Sequence, residues 1–244
     1  MQIKKIFLAT ILIIFISCSE DNDITTPRNL QEYLDVNSDR EIDNVIACAA
    51  SLSESICYIY YYPVDGATEI RYYETDGTDV DETDFSNYRR SLLDSDDVFD
   101  GTLQKFSRSD SNEAWSIVTY LTDGKFHISD PIRLKNTTSE TIWEEDVTIE
   151  YPSMLTPKFT WSDYGITDNV IYFQVISDAD DTFLSGTYTT DNYFQYYDTS
   201  NVVLNITEDT PDDLIEDEEY NFTLMGVSED NWVNLIIEQT FIAE

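Results

Sequence analysis

From residue 42 onward the chain is a succession of short β-forming runs separated by turn signals, and this pattern limits the folds open to it. Ile56 to Tyr62 is rich in β-branched and aromatic residues and stops at Pro63-Val64-Asp65-Gly66. Thr68 to Tyr73, Phe99 to Phe106 and Ala114 to Leu121 read as further strands. Thr122-Asp123-Gly124 is a hairpin turn into Lys125 to Ile128, and Pro131 to Leu134 closes a first unit. Phe85 to Leu93 is the one stretch expected to be a short helix. After Trp143 the pattern restarts with Lys158 to Trp161 and Asn169 to Ser177, then Gly186 to Tyr197 and Asn201 to Thr207. Tyr220 to Val227 and Val233 to Phe241 complete it. Regular spacing of this kind predicts an all-β fold of two tandem antiparallel β-sandwiches, over 42–136 and 148–244, joined by a linker at 137–147.

The first residues follow a different logic. Lys4 and Lys5 precede an apolar run from Ile6 to Ile16, too short for the roughly 20 residues that a spanning helix needs. Ser17 and Cys18 follow, and the chain then turns acidic. A basic start, a short apolar stretch and a small residue before a cut describe a secretory signal peptide at 1–17. Residues 18–41 are polar and are expected to form a flexible acidic tether.

Composition narrows the partners. The formal charge is −36, which repels nucleic acid and anionic headgroups. Aromatic residues are plentiful, with 17 Tyr and 12 Phe, so the chain has enough apolar surface for a full core. Beyond Cys18 there are two cysteines, Cys48 and Cys57. An even pair in an exported protein is expected to form a disulfide, the alternative being two buried free thiols.

Two resemblances extend this reading. Cys18 with Ser17 before it resembles the lipobox of bacterial lipoproteins, with Phe15 where that pattern prefers Leu. Ser19-Glu20-Asp21-Asn22-Asp23 is similar to the acidic tag of surface-exposed lipoproteins of the Bacteroidetes. The resemblance implies lipidation of Cys18 and attachment to the exterior of the outer membrane. In the second unit, Trp161 on an early strand, Tyr172 on the next and Leu214 six residues before Tyr220 resemble a fibronectin type III domain with its leucine–tyrosine corner. The Pro-Gly expected before the corner is replaced by Glu216 to Glu219.

Catalytic motifs are missing from the sequence: there is no G-x-S-x-G, no H-E-x-x-H and no glycine-rich phosphate loop. His127, the one histidine, has no nucleophile placed beside it by spacing. The expected function is therefore a non-catalytic binding or scaffold module at the cell surface, with a polysaccharide or another surface protein as partner. The alternative is a glycan-binding accessory of a polysaccharide-uptake system. Two candidate sites go with this reading. Trp232 and the cluster Tyr193, Phe194, Tyr196 and Tyr197 sit in or near expected turns, where aromatic rings can stack on sugars. Asp76, Asp79, Asp81 and Asp84 are the first candidates for calcium, the only cofactor considered, against a plain reading as a solvated acidic loop. Asp94 to Asp100 and Asp178 to Asp181 are weaker candidates of the same kind.

Overall fold

The structure is a computed structural model that describes residues 27–207 and 210–244. The expected signal peptide and Cys18 lie outside the described residues. The first elements are helix α1 (Leu30–Val36) and strands β1 (Ile42–Val45), β2 (Ala47–Ser53), β3 (Ile56–Tyr61) and β4 (Thr68–Glu74). Next come β5 (Arg89–Ser91), β6 (Ser95–Val98), β7 (Leu103–Ser109), β8 (Trp115–Thr122), β9 (Lys125–Ser129) and β10 (Ile132–Arg133). They are followed by β11 (Ile142–Glu144), β12 (Thr148–Glu150), β13 (Lys158–Thr160), β14 (Asn169–Asp178) and β15 (Phe183–Thr189). The last four are β16 (Tyr193–Gln195), β17 (Val202–Asn205), β18 (Glu219–Ser228) and β19 (Val233–Ile242). The fold is all-β, as the spacing of the runs predicts.

These strands make four sheets among the described residues. The first sheet runs β1-β9-β8-β4-β5, with β10 also on β8. The second is β2-β3-β7-β6, the third β11-β19-β18-β14-β15-β17, and the fourth β12-β13-β16. Tyr72, Val118 and Tyr120 of the first sheet pack on Ile59, Tyr61 and Phe106 of the second. The other face of the second sheet, through Ala50 and Tyr60, packs on Phe173, Val175, Met225 and Ile236 of the third. The opposite face of the third, through Ile176, Phe222 and Leu235, packs on Phe159 and Phe194 of the fourth. The sheets therefore form one stack with three interiors. Both central sheets are covered on both faces, so the two sandwiches share a core where a linker alone would leave solvent.

The segment 137–147 is pinned at several points. Thr141 exchanges hydrogen bonds with Ser51: its N–H donates to Ser51 Oγ and its Oγ1 accepts from Ser51 N–H, both at 2.8 Å. Trp143 Nε1 donates to the Ser51 carbonyl at 2.9 Å, and β11 pairs in parallel with β19. Just before it, Glu113 accepts from the backbone and hydroxyl groups of both Thr137 and Thr138 at 2.7 to 3.1 Å.

Three expectations are corrected. The tether is folded from residue 27 on: Asn29 caps α1 by accepting from Glu32 N–H at 2.9 Å, and Leu30 and Tyr33, one turn apart, bury against Tyr73, Ile117 and Phe126 on the outer face of the first sheet. The helix expected at Phe85 to Leu93 is only a single 3-10 turn, Phe85–Asn87, followed by edge strand β5. The disulfide is absent because of register. Cys48 lies opposite Tyr60 and Cys57 opposite Ser51 on the β2–β3 pair. Since successive side chains alternate between faces, Cys48 packs toward the third sheet with Tyr60, while Cys57 packs toward the first with Ile59. Both are free thiols, on opposite faces of one sheet.

Candidate functional site

Trp232 stands in the turn between β18 and β19, as the sequence suggests, but it is fully buried. It lies in the interior between the first and second sheets, and its Nε1 donates to the Ser139 carbonyl at 2.8 Å. The turn around it is bound to the first unit throughout. Ala49 N–H donates to the Asn231 carbonyl at 3.1 Å and Arg133 N–H to that of Asp230 at 3.0 Å. Lys135 Nζ pairs with Asp230 at 2.6 Å. The expected ligand platform is thus a plug between the two units, and Trp232 is corrected from a ligand residue to a core residue.

The expected tyrosine cluster splits by burial. Phe194 and Tyr196 are core residues, with Tyr196 Oη donating to the Asp212 carbonyl at 2.6 Å. Tyr193 and Tyr197 are each 37% exposed. Lys158 Nζ sits 4.6 Å from the Tyr193 ring centre, while Tyr197 stands edge-on to Tyr196 and donates its hydroxyl to the Pro211 carbonyl. The leucine–tyrosine corner has the hydrogen bond its spacing implies: Leu214 is buried, and Tyr220 Oη accepts from Ile215 N–H at 3.0 Å.

The carboxylates proposed for calcium serve local turns. Asp81 accepts from the N–H and hydroxyl of Thr83 at 2.9 and 2.7 Å, which lowers its pKa, and Asp84 accepts from Ser86 at 3.0 and 2.6 Å. Asp178 likewise accepts from Asp180 and Thr182 N–H groups. Among the described residues no three carboxylate, thiol or imidazole side chains converge as metal ligands. The Asp76, Asp79, Asp81 and Asp84 expectation is corrected accordingly: these four do not come together as a ligand set, and Asp81 and Asp84 are each taken up by a local turn. His127 is also structural in its surroundings, stacked on Tyr120 at 4.7 Å with Nδ1 3.2 Å from the Asn44 carbonyl.

Of the concave regions among the described residues, two differ sharply in character. A cleft of about 770 Å³ opens between the second and third sheets. Its walls carry Asp97, Asp100, Glu145, Asp181 and Glu238 against the ammonium of Lys105. Desolvation first, then the Asp181 charge, raises the Glu238 pKa. A pocket of about 510 Å³ has a different character. Ser185 and Thr187 of β15, Asn205 of β17 and Thr199 line it with hydroxyl and amide groups, and Phe194 and Tyr197 add aromatic surface. Among the described residues no charged side chain lines it; Glu208 and Asp209, between the lining residues Thr207 and Thr210, lie outside the described residues. Ser185 and Thr187 are buried on the face of the third sheet that meets the fourth, with Thr187 donating to Gln174 Oε1 at 3.3 Å. Ser185 Oγ is buried and has no hydrogen-bond partner among the described residues. Sequence reading found Tyr197 and Phe194 but missed Ser185, Thr187 and Asn205. Their signal was hydroxyls at alternate positions of an inward strand face, where apolar side chains are the rule.

No family model matches the chain, and no curated protein matches it. Among solved structures, the crystal structure of the chicken CNTN1 FN1-FN3 domains is similar, with a TM-score of 0.31 and 9% identity. The match covers 84% of this chain and 65% of that one, so the chain spans a little under two thirds of its length.

Proposed function

We propose that the protein is a lipid-anchored module of the outer-membrane surface that holds or binds a partner without catalysing a reaction. The observation that carries the scaffold half of this reading is the shared core. Trp232 of the second unit is buried in the interior of the first, and Ala50 and Tyr60 pack directly on the third sheet. Two sandwiches joined in this way keep a fixed mutual geometry, which a spacer or presenting element needs and which beads on a flexible linker lack. Most of the described aromatic rings are buried, in these interiors or beneath α1. The anchor half rests on Cys18 between a short apolar run and an acidic segment. One acyl chain holds only marginally, so anchoring requires the multiple chains of a lipoprotein.

Detergent partition and protease shaving of intact cells test the reading. The wild type is expected in the detergent phase and open to external protease. Cys18→Ala is expected in the soluble fraction. A Cys18→Ala protein that stays in the membrane, or a wild type shielded from protease, overturns the anchor.

A further inference from the structure

We infer that the cleft between the second and third sheets is a binding site for a linear polyamine, a small organic cation whose ammonium groups are spaced along an alkyl chain. The inference deepens the binding half of the reading above and does not depend on the anchor.

Three observations carry it. The first is unpaired charge in a space of the right size. Asp97, Asp100, Glu145, Asp181 and Glu238 line a cleft of about 770 Å³, within the roughly 300–1,000 Å³ of small-ligand sites. Two acidic stretches of the sequence, 94–100 and 178–181, thus meet here with carboxylates from β19 and the end of β11. Every ion pair among the described residues lies elsewhere. Lys105, the basic residue of the lining, turns its ammonium onto the Tyr58 ring, 4.4 Å from the ring centre. Holding like charges together across two sheets costs free energy, which a bound cation offsets. Burial first, and the Asp181 charge next, raises the Glu238 pKa in the same way.

The second is Tyr60, which is only 6% exposed and lines the cleft. Its hydroxyl makes no hydrogen bond among the described residues, yet it keeps access to that space. A polar group held this deep without a partner is costly. Burial also pushes the phenol pKa up, so the hydroxyl stays protonated and can accept from an ammonium, which has donors only. The third is spacing. Calcium needs six to eight oxygens around one centre, and no three carboxylates converge that way among the described residues. The same lining includes Val98, Phe99 and Met225 of the apolar interior. Carboxylates set apart beside apolar surface fit ammonium groups set apart on methylene stems, as long basic side chains lie on apolar surface with their heads on polar groups.

The test is titration calorimetry of the full-length protein in nonionic detergent at about 0.15 M salt, where diffuse attraction is screened. Spermidine is the probe and magnesium chloride the inorganic comparison. Spermidine is expected to bind once per chain and more tightly than magnesium. Glu238→Gln and Asp181→Asn change exposed residues and are each expected to weaken spermidine about tenfold or more. Asp181 has φ of 61°, which Asn adopts as readily as Asp. Tyr60→Phe keeps the packed ring and is expected to weaken binding about threefold or more. Asp39→Asn removes the same charge from an exposed position just after α1, away from the cleft, and is expected to leave affinity unchanged. No binding of spermidine at millimolar concentration overturns the inference. So does magnesium binding as tightly as spermidine, a folded Tyr60→Phe protein that binds like wild type, or an equal loss from Asp39→Asn and Glu238→Gln, which marks diffuse attraction. These outcomes concern the cleft only: an anchored protein that binds no polyamine loses this site and keeps the scaffold reading.

Discussion

Glu113 has an importance that its place in the sequence does not suggest. Burial opposes its charge, but the hydrogen bonds from Thr138 and Thr137 outweigh that and bring its pKa from 4.5 down to about 2. Arg133 Nη2 lies 3.0 Å away as a further donor. A carboxylate with a depressed folded pKa stabilises fully above its unfolded value and stops doing so as pH falls through the folded one. Glu113 should therefore contribute above about pH 4.5 and lose its contribution toward pH 2. Thermal melting of wild type and Glu113→Gln should differ most at neutral pH and converge in acid. A constant difference down to pH 2 would remove this role. The cysteines give a second test at this scale. Burial pushes the Cys48 thiol up to about 12 and the Cys57 thiol up to about 11. Thiolate is the reactive form, so neither should label with iodoacetamide at pH 8 in the native protein, and both should label after unfolding. A Cys48–Cys57 cross-linked peptide pair that separates on reduction, seen by mass spectrometry, would contradict the register described above.

The strands were largely legible, and the reason lies in which faces they bury. Asn169 to Ser177 is apolar at almost every position because β14 sits in a sheet covered on both sides. Within a single two-sheet sandwich such a run would alternate, so its continuity signalled the third interior, which the tandem reading overlooked. The turn at Ser228 to Trp232 was placed correctly, yet its burial was not legible, because what covers it comes from residues more than ninety positions earlier. The tether failed for a similar reason: Asn29, Leu30 and Tyr33 form a short cap-and-stripe signal whose value depends on the distant Phe126. The candidate site was half legible, through Tyr197 and Phe194, since aromatic content is easy to see and a hydroxyl-lined wall resembles any polar stretch. Two substitutions measure these elements. Trp232→Ala should cost about 3–5 kcal/mol, by leaving a large cavity and an unpaired Ser139 carbonyl. Tyr220→Phe keeps the buried ring and removes only the acceptor for the N–H of exposed Ile215, a part-buried bond, and should cost about 1 kcal/mol. Denaturant unfolding reads both, and a Trp232→Ala loss below that of Tyr220→Phe would contradict the plug.

At the scale of the molecule, three interiors in one stack predict one transition. Unfolding followed by near-ultraviolet dichroism, which weights aromatics in all layers, and by far-ultraviolet dichroism should coincide, with the calorimetric and van't Hoff enthalpies equal. Two resolved transitions would mean that the second and third sheets separate. The charge of −36 gives a further expectation. Salt should raise the melting temperature by screening self-repulsion. Since no carboxylates converge as metal ligands among the described residues, millimolar calcium should act no differently from sodium of equal ionic strength.

The plug also sets an order of events. A chain synthesised from its N-terminus presents residues 42–136 long before residue 232. Until that indole arrives, the space between the first two sheets is missing its largest fully buried side chain. Domain-by-domain folding, the usual habit of multi-unit chains, would therefore leave the first unit with an unfilled interior until the second is made. The first unit is completed by a segment of the second, so its interior reaches full packing only once the turn around Trp232 is in place.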